Sequence, residues 1–277
     1  MGGVQVKFTI GKLLIYIFIA ITMVITIFPV LWIAIMGTQS TQQIYQGVSF
    51  LPGGHLGENL AAIQDVNFIR AFGNSLLVAV PTVIVSVVTS TMAGYALSKF
   101  RFRGAGVIMG IILAIMLVPN EASIVAYVME MRWLKLSNTL YPLIFINFAH
   151  AFGVFFMRQY ILGGMPYEII ESCRVDGCSE PRIFFQFVMP IIKPALFTLC
   201  VIVFMTSWNN YMYPLVLINN QSMYTTPLAI ASVGTRDSPM LGAKSLGVVL
   251  GILPLLIVFG FFSKSITRGL TEGALKG

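Results

Sequence analysis

The sequence predicts an all-α polytopic membrane protein, and three observations carry that class. Only 10% of the 277 residues are charged, against about 25% in a soluble domain. Hydrophobic residues make up 57%, and the mean hydropathy is +0.87. Six apolar runs each approach the roughly 20 residues with which a helix crosses the hydrocarbon core while satisfying its own backbone, and the alternation of β-barrel strands is absent.

The runs lie at about 13–36, 72–97, 105–129, 139–162, 194–216 and 243–265. The first follows Lys7 and Lys12. It is too long for a signal-peptide core of about 7 to 15 residues and has no clear small-x-small cleavage site, so it reads as an uncleaved first span. Residues 1–71 are then the first helix with its outer loop, 72–265 the core transmembrane domain, and 266–277 a tail. Six spans place both termini on one side. Twelve Lys and Arg fall on that side, among them Lys99, Arg101, Arg103, Arg158, Lys264, Arg268 and Lys276, against Arg70, Arg132, Lys135, Arg236 and Lys244 on the other. Both termini are therefore expected in the cytoplasm. The net charge of +7 is scattered rather than clustered, which fits topology and not nucleic-acid binding.

Two outer segments, 37–70 and 219–242, are rich in turn residues and read as irregular, the first with a possible amphipathic piece on the membrane surface. Pro29, Pro81, Pro119, Pro142, Pro214 and Pro254 interrupt the apolar runs. They fit either simple packing or bent helices around an aqueous cavity. Gly106 with Gly110, and Gly247 with Gly251, form small-xxx-small pairs that favour close helix approach. Cys173, Cys178 and Cys200 form no disulfide framework or metal motif, and His55 and His150 are far apart, so no metal site and no cofactor is expected.

Between the fourth and fifth runs lies a polar island, residues 166–194, that cannot belong to a span. It reads as a helix-turn-helix. Pro166 suits a helix start, and Glu168 and Glu171 its first turns. Gly177 suits the left-handed residue that ends it. Ser179 caps a second helix with Glu180 and Pro181 in its first turn. Ile183, Phe184, Phe187 and Val188 follow, before Pro190 and Pro194 return the chain to the membrane. Such a knuckle is either an ordinary loop or a docking element for a cytoplasmic protein.

The island resembles the EAA loop of binding-protein-dependent ABC importers, in which Glu-Ala-Ala is followed by three residues, Gly, nine residues and Ile-x-Leu-Pro. Glu171, Gly177 and Pro190 match in register; Ser172 and Cys173 stand for the alanines, and Phe187 and Met189 for the Ile and Leu. The run Glu171-Ser172-Cys173-Arg174-Val175-Asp176-Gly177 is similar to the carbohydrate branch of these permeases. So are the ending Gly269 to Gly277 and the segment Trp208-Asn209-Asn210-Tyr211-Met212-Tyr213-Pro214-Leu215, which looks like the fifth-span motif of maltose-permease-like subunits.

The resemblance implies a type I ABC importer permease fold in a bacterial plasma membrane, importing a sugar of the oligosaccharide class by alternating access. It implies a homologous second permease, two cytoplasmic ATPase subunits and an extracellular sugar-binding protein as partners. It implies that Glu171, Ser172, Cys173, Asp176, Gly177 and Pro190 couple the chain to the ATPase. The chain has no phosphate loop of the Gly-x4-Gly-Lys-Ser/Thr type, so hydrolysis belongs to another subunit and this one is not an enzyme.

A sugar site combines amides or hydroxyls with aromatic rings. Trp208, Asn209, Asn210, Tyr211 and Tyr213 offer that mixture, and Asn210 matches the family's sugar-approaching position; the amides could equally satisfy helix backbone. Glu121, beside Asn120 after Pro119, suits either a cavity or a helix-helix hydrogen bond, and Asn147 and His150 lie in the fourth run. A self-sufficient secondary transporter or channel with a regulatory loop is the alternative, although no internal repeat of the kind such transporters show is evident.

Overall fold

The computed structural model describes residues 10–274, without the side chains of residues 10, 120 and 262–274. Lys7 and Lys276, the side chains of Lys264, Arg268 and Asn120, and those of the ending Gly269 to Gly277 therefore lie outside the described residues. Among the described residues the chain is helical, with one isolated bridge, Gly234 to Pro239, and no strand.

Residues up to Val66 together with Ile230–Ile252 form one compact unit. Helix α1 (Ile10–Met36) is exposed from Gly11 to Leu31, as an apolar helix meeting lipid or another chain would be. The first outer segment, expected to be irregular apart from an amphipathic piece, holds two short helices, α2 (Thr41–Tyr45) and α3 (Leu56–Asp65). Ser40 and Gln43 close a reciprocal capping box on α2. The Asn59 amide donates to the carbonyls of Gly37 (2.9 Å) and Gln39 (3.0 Å), and Thr41 Oγ1 donates to the carbonyl of Pro239 at 2.9 Å.

Asn67–Ala229 and the chain from Leu253 form the second unit. It begins with α4 (Phe68–Lys99), which runs unbroken through Pro81. Then come α5 (Ala105–Met116), a 3-10 turn Asn120–Ser123, α6 (Ile124–Trp133), α7 (Tyr141–Phe145) and α8 (Ala151–Gly164). The island supplies α9 (Tyr167–Val175), α10 (Glu180–Ile183), a π turn Phe184–Val188 and α11 (Met189–Ile191). Helices α12 (Lys193–Trp208), α13 (Met212–Leu217) and α14 (Thr226–Ser232) follow, the last three residues of α14 being counted with the first unit. Helix α15 (Leu241–Ala274) gives its first part to the first unit and continues through the expected tail, so the chain does not leave helix at residue 265.

Three of the six runs are therefore broken. The third turns by 89° between α5 and the segment Glu121–Trp133, with extended Pro119 at the bend. Proline drives the preceding residue out of helical geometry, which ends α5. The fourth is α7 and α8, separated by Ile146 to His150. The fifth is interrupted at Asn209–Tyr211, where Pro214 has no N–H to give the carbonyl of Asn210.

Helix α4 packs chiefly on α8 and α12. Ser86, Ser90 and Gly94 recur every fourth residue and form its close-contact stripe: a Cβ on Gly94 would lie 2.8 Å from the backbone nitrogen of Arg158. This stripe is the small-residue seam of the second unit. The pair Gly106 and Gly110 instead faces open space, and Gly247 meets the side chain of Ile230.

Candidate functional site

Two regions of the second unit carry the residues that the sequence singled out. The first is the knuckle. Helix α9 ends as a Schellman turn: Cys178 N–H donates to the Cys173 carbonyl (2.9 Å), Gly177 N–H to that of Arg174 (3.0 Å), and Gly177 sits at φ +76°. Nothing lies within 4 Å of a Cβ built there, so the glycine is required by the backbone and not by space. Ser179 has the extended geometry of an N-cap, but its hydroxyl makes no capping bond. The π turn widens the second helix just before Pro190, with Met189 N–H reaching back to the Phe184 carbonyl.

Inward, Ile170, Cys173, Ile183, Phe184, Val188 and Ile192 enter one core with Tyr95, Met157, Ile161 and Met165. Cys173 is thus packed beneath the knuckle, as a small apolar side chain on the inner face of α9, and does not share the outer face with its neighbours. Glu171, Ser172, Asp176, Gly177 and Pro190 are exposed. So is Val175, at 86%.

The two knuckle helices are tied by charge as well. Arg174 Nε donates to Glu180 Oε1 at 2.6 Å and Arg174 Nη1 to the Tyr167 hydroxyl at 3.3 Å. The Tyr95 hydroxyl of α4 donates to Glu180 Oε2 at 3.1 Å. The Glu180 hydrogen bond holds the Arg174 guanidinium above its ordinary pKa. Its contribution is therefore present at physiological pH and lost only as pH rises through that raised value. Lys99, counted above among the cytoplasmic positive charges, is buried: its ammonium donates to the Met165 carbonyl at 2.5 Å and closes the C-terminus of α8.

The second region is a cleft of about 660 Å³ where the broken runs meet. Glu121 comes from the bend after α5, Asn147 and His150 from the α7–α8 connection, and Thr206, Asn210 and Tyr213 from the fifth run. The backbone groups freed by the breaks find partners. Ser86 Oγ donates to the Asn147 carbonyl (2.6 Å) and Thr89 Oγ1 to that of Phe148 (3.0 Å). His150 Nδ1 accepts from Gly153 N–H at 3.2 Å and caps α8. Asn210 Oδ1 accepts from Tyr213 N–H at 3.3 Å, so this amide serves the helix backbone and lines the cleft together.

Of the sugar-site residues read from sequence, Glu121, Asn210 and Tyr213 reach the cleft. Trp208 is buried, stacked on Phe204 (5.6 Å) and edge-on to Phe72 (5.3 Å). Tyr211 packs against an apolar cluster around Tyr213 and Leu217, and Asn209 is exposed away from the cleft. Thr206 was missed. The signal was spacing: Thr206 lies one helical turn before Asn210, an i, i+4 separation. The Arg174–Glu180 bridge was also missed, because its partners lie on different helices.

Comparison with known proteins fits this architecture. Residues 86–272 match the model of the family described as binding-protein-dependent transport system inner membrane component. The chain is 34% identical to the arabinooligosaccharides transport system permease protein AraQ of Halalkalibacterium halodurans, over 74% of each chain. It is 31% identical to the lactose transport system permease protein LacG of Rhizobium radiobacter, over 92% of this chain and 93% of the relative. Its fold is similar to a chain of a bacterial ABC transporter involved in the import of the acidic polysaccharide alginate, with a TM-score of 0.76, 24% identity, and coverage of 95% of this chain and 99% of that one.

Proposed function

From the premise that this chain belongs to the family of binding-protein-dependent transport system inner membrane components, we propose that it is one of two membrane subunits of an ATP-driven importer of sugars, oligosaccharides in particular. The names of similar proteins, for arabinooligosaccharides and lactose, support a carbohydrate cargo. The single observation that carries the reading is the cleft that draws Glu121, Asn147, His150, Thr206 and Asn210 from three broken runs. A mixture of amide, hydroxyl and carboxylate groups with the Tyr213 and Phe152 rings suits a ligand with many hydroxyls and apolar C–H faces.

In this proposal the knuckle meets a separate ATPase subunit in the cytoplasm through Glu171, Ser172, Asp176, Gly177 and Pro190, with Val175 at its exposed tip. A homologous permease supplies the opposite wall of the pathway, and an external binding protein delivers the sugar. Closure of the ATPase pair moves the knuckle as a rigid body. Helix α4 is suited to carry that movement, because it holds the knuckle through Tyr95 and the cleft through Ser86 and Thr89. Ser86 and Tyr95 are nine residues apart, about 14 Å along the helix at 1.5 Å per residue.

The test is ATP-driven uptake of labelled oligosaccharides by the assembled complex in proteoliposomes. Asn210→Ala is expected to lower sugar uptake about tenfold, the worth of one well-placed hydrogen bond, while the ATPase subunits still co-purify. Unchanged uptake and unchanged sugar-stimulated hydrolysis would remove Asn210 from the pathway.

A further inference from the structure

The charged groups around the cleft are unbalanced, and the imbalance bears on which sugars it admits. Among the described residues of this chain, Glu121 is its one carboxylate, and no Lys or Arg lines it. His150 is the other ionisable group of note. Its Nδ1 accepts the Gly153 N–H, so the imidazole carries no positive charge while that cap is in place. The N-terminus of α8 also faces the cleft and favours anions, but it amounts to about half an elementary charge, and the His150 cap already occupies one of its N–H groups. The full charge on Glu121 outweighs it.

We propose that Glu121 makes the cleft a charge filter, admitting neutral and cationic sugars and disfavouring uronate sugars. The inference rests on the permease reading above and adds a substrate class to it. A sugar carboxylate held about 5 Å from Glu121 meets repulsion worth at least severalfold in affinity even at the dielectric constant of water, and more where the walls exclude solvent. Amide and hydroxyl groups of Asn147, Asn210 and Thr206 bind neutral hydroxyls without a charge requirement, and an amino sugar gains attraction to Glu121. The similar fold that serves an importer of acidic alginate leaves room for such a difference, because a fold does not fix the charges that line its pathway.

The test is equilibrium binding of three disaccharides to the purified complex in nanodiscs without the external binding protein, whose own selectivity is thereby kept out. The probes are lactose (neutral), the glucosamine disaccharide (cationic) and digalacturonate (anionic). Wild type is expected to bind lactose at least tenfold more tightly than digalacturonate. Glu121→Gln should shift the digalacturonate-to-lactose affinity ratio about tenfold towards the anion and lower the ratio for the glucosamine disaccharide. A second variant, Ala149→Lys, adds a cation to the same wall without removing a polar group and should shift the anion ratio in the same direction. Lactose binding with ratios that neither variant moves would overturn the charge filter and leave the permease reading standing. Wild-type complex that binds none of the three sugars would overturn both.

Discussion

Around the knuckle, Ile170, Ile183, Val188 and Ile192 have no measurable exposure, and the Arg174–Glu180–Tyr95 bridge ties two short helices to α4. Around the cleft, three apolar runs are interrupted, and single hydroxyls, a histidine and an amide satisfy the loose backbone. The knuckle is thus a solid piece with an exposed rim, whereas the cleft is assembled from helix ends. The difference suits a body that must transmit displacement unchanged and a surface that must present polar groups to a ligand. Both rest on α4, whose stripe of Ser86, Ser90 and Gly94 lets α8 approach closely.

The strongest way to break the contrast is to hollow out the solid part. Ile183→Ala removes a fully buried side chain and is expected to cost about 2–5 kcal/mol. Thermal unfolding of the detergent-purified chain, with protease sensitivity of the 167–192 segment, would register it; a melting temperature unchanged from wild type would mean that the knuckle is not held by its core. Gly94→Val overpacks the α4–α8 seam, with an expected cost of about 1–3 kcal/mol. The same change at Gly106, which faces open space, should leave the melting temperature within a degree or two. Equal effects at the two positions would place the close helix contact elsewhere.

A finer comparison is possible at Gly177, where backbone geometry and available space disagree. Gly177→Val must take a left-handed conformation, at a cost of about 1–2 kcal/mol for a residue with a Cβ, and should sharply lower uptake at normal membrane abundance. Gly177→Asn, a residue that tolerates this region, should retain most of the uptake. If both substitutions act alike, bulk at the partner's surface and not the turn sets the requirement.

The sequence makes the knuckle legible because its signals are local. Gly177 follows a short amphipathic helix, Ser179-Glu180-Pro181 opens the next, and the structure places the turn where those residues put it. The broken spans were less legible: apolar content marks a run as able to cross a bilayer, but it does not reveal that the carbonyls of Asn147 and Phe148, freed where the helix breaks, accept hydrogen bonds from Ser86 and Thr89 on another run. The same limit explains Trp208 and Tyr211. Both belong to a motif with the chemistry of a sugar site, yet the side of the helix on which each falls is decided by packing against Phe72, Phe204 and Leu217. Lys99 entered the sequence reading only as one of the positive charges that set topology, and its burial against Met165 required the fold of α8 to be seen.

The central claim, that this knuckle couples the chain to an ATPase, is tested most directly at Val175. Its side chain is 86% exposed and adds nothing to the core, so Val175→Asp should leave the fold intact. In proteoliposomes containing the full complex, the variant is predicted to reach the membrane with an unchanged melting temperature while ATPase co-purification and ATP-driven sugar uptake fall at least tenfold. Full uptake with the ATPase still bound would contradict the claim.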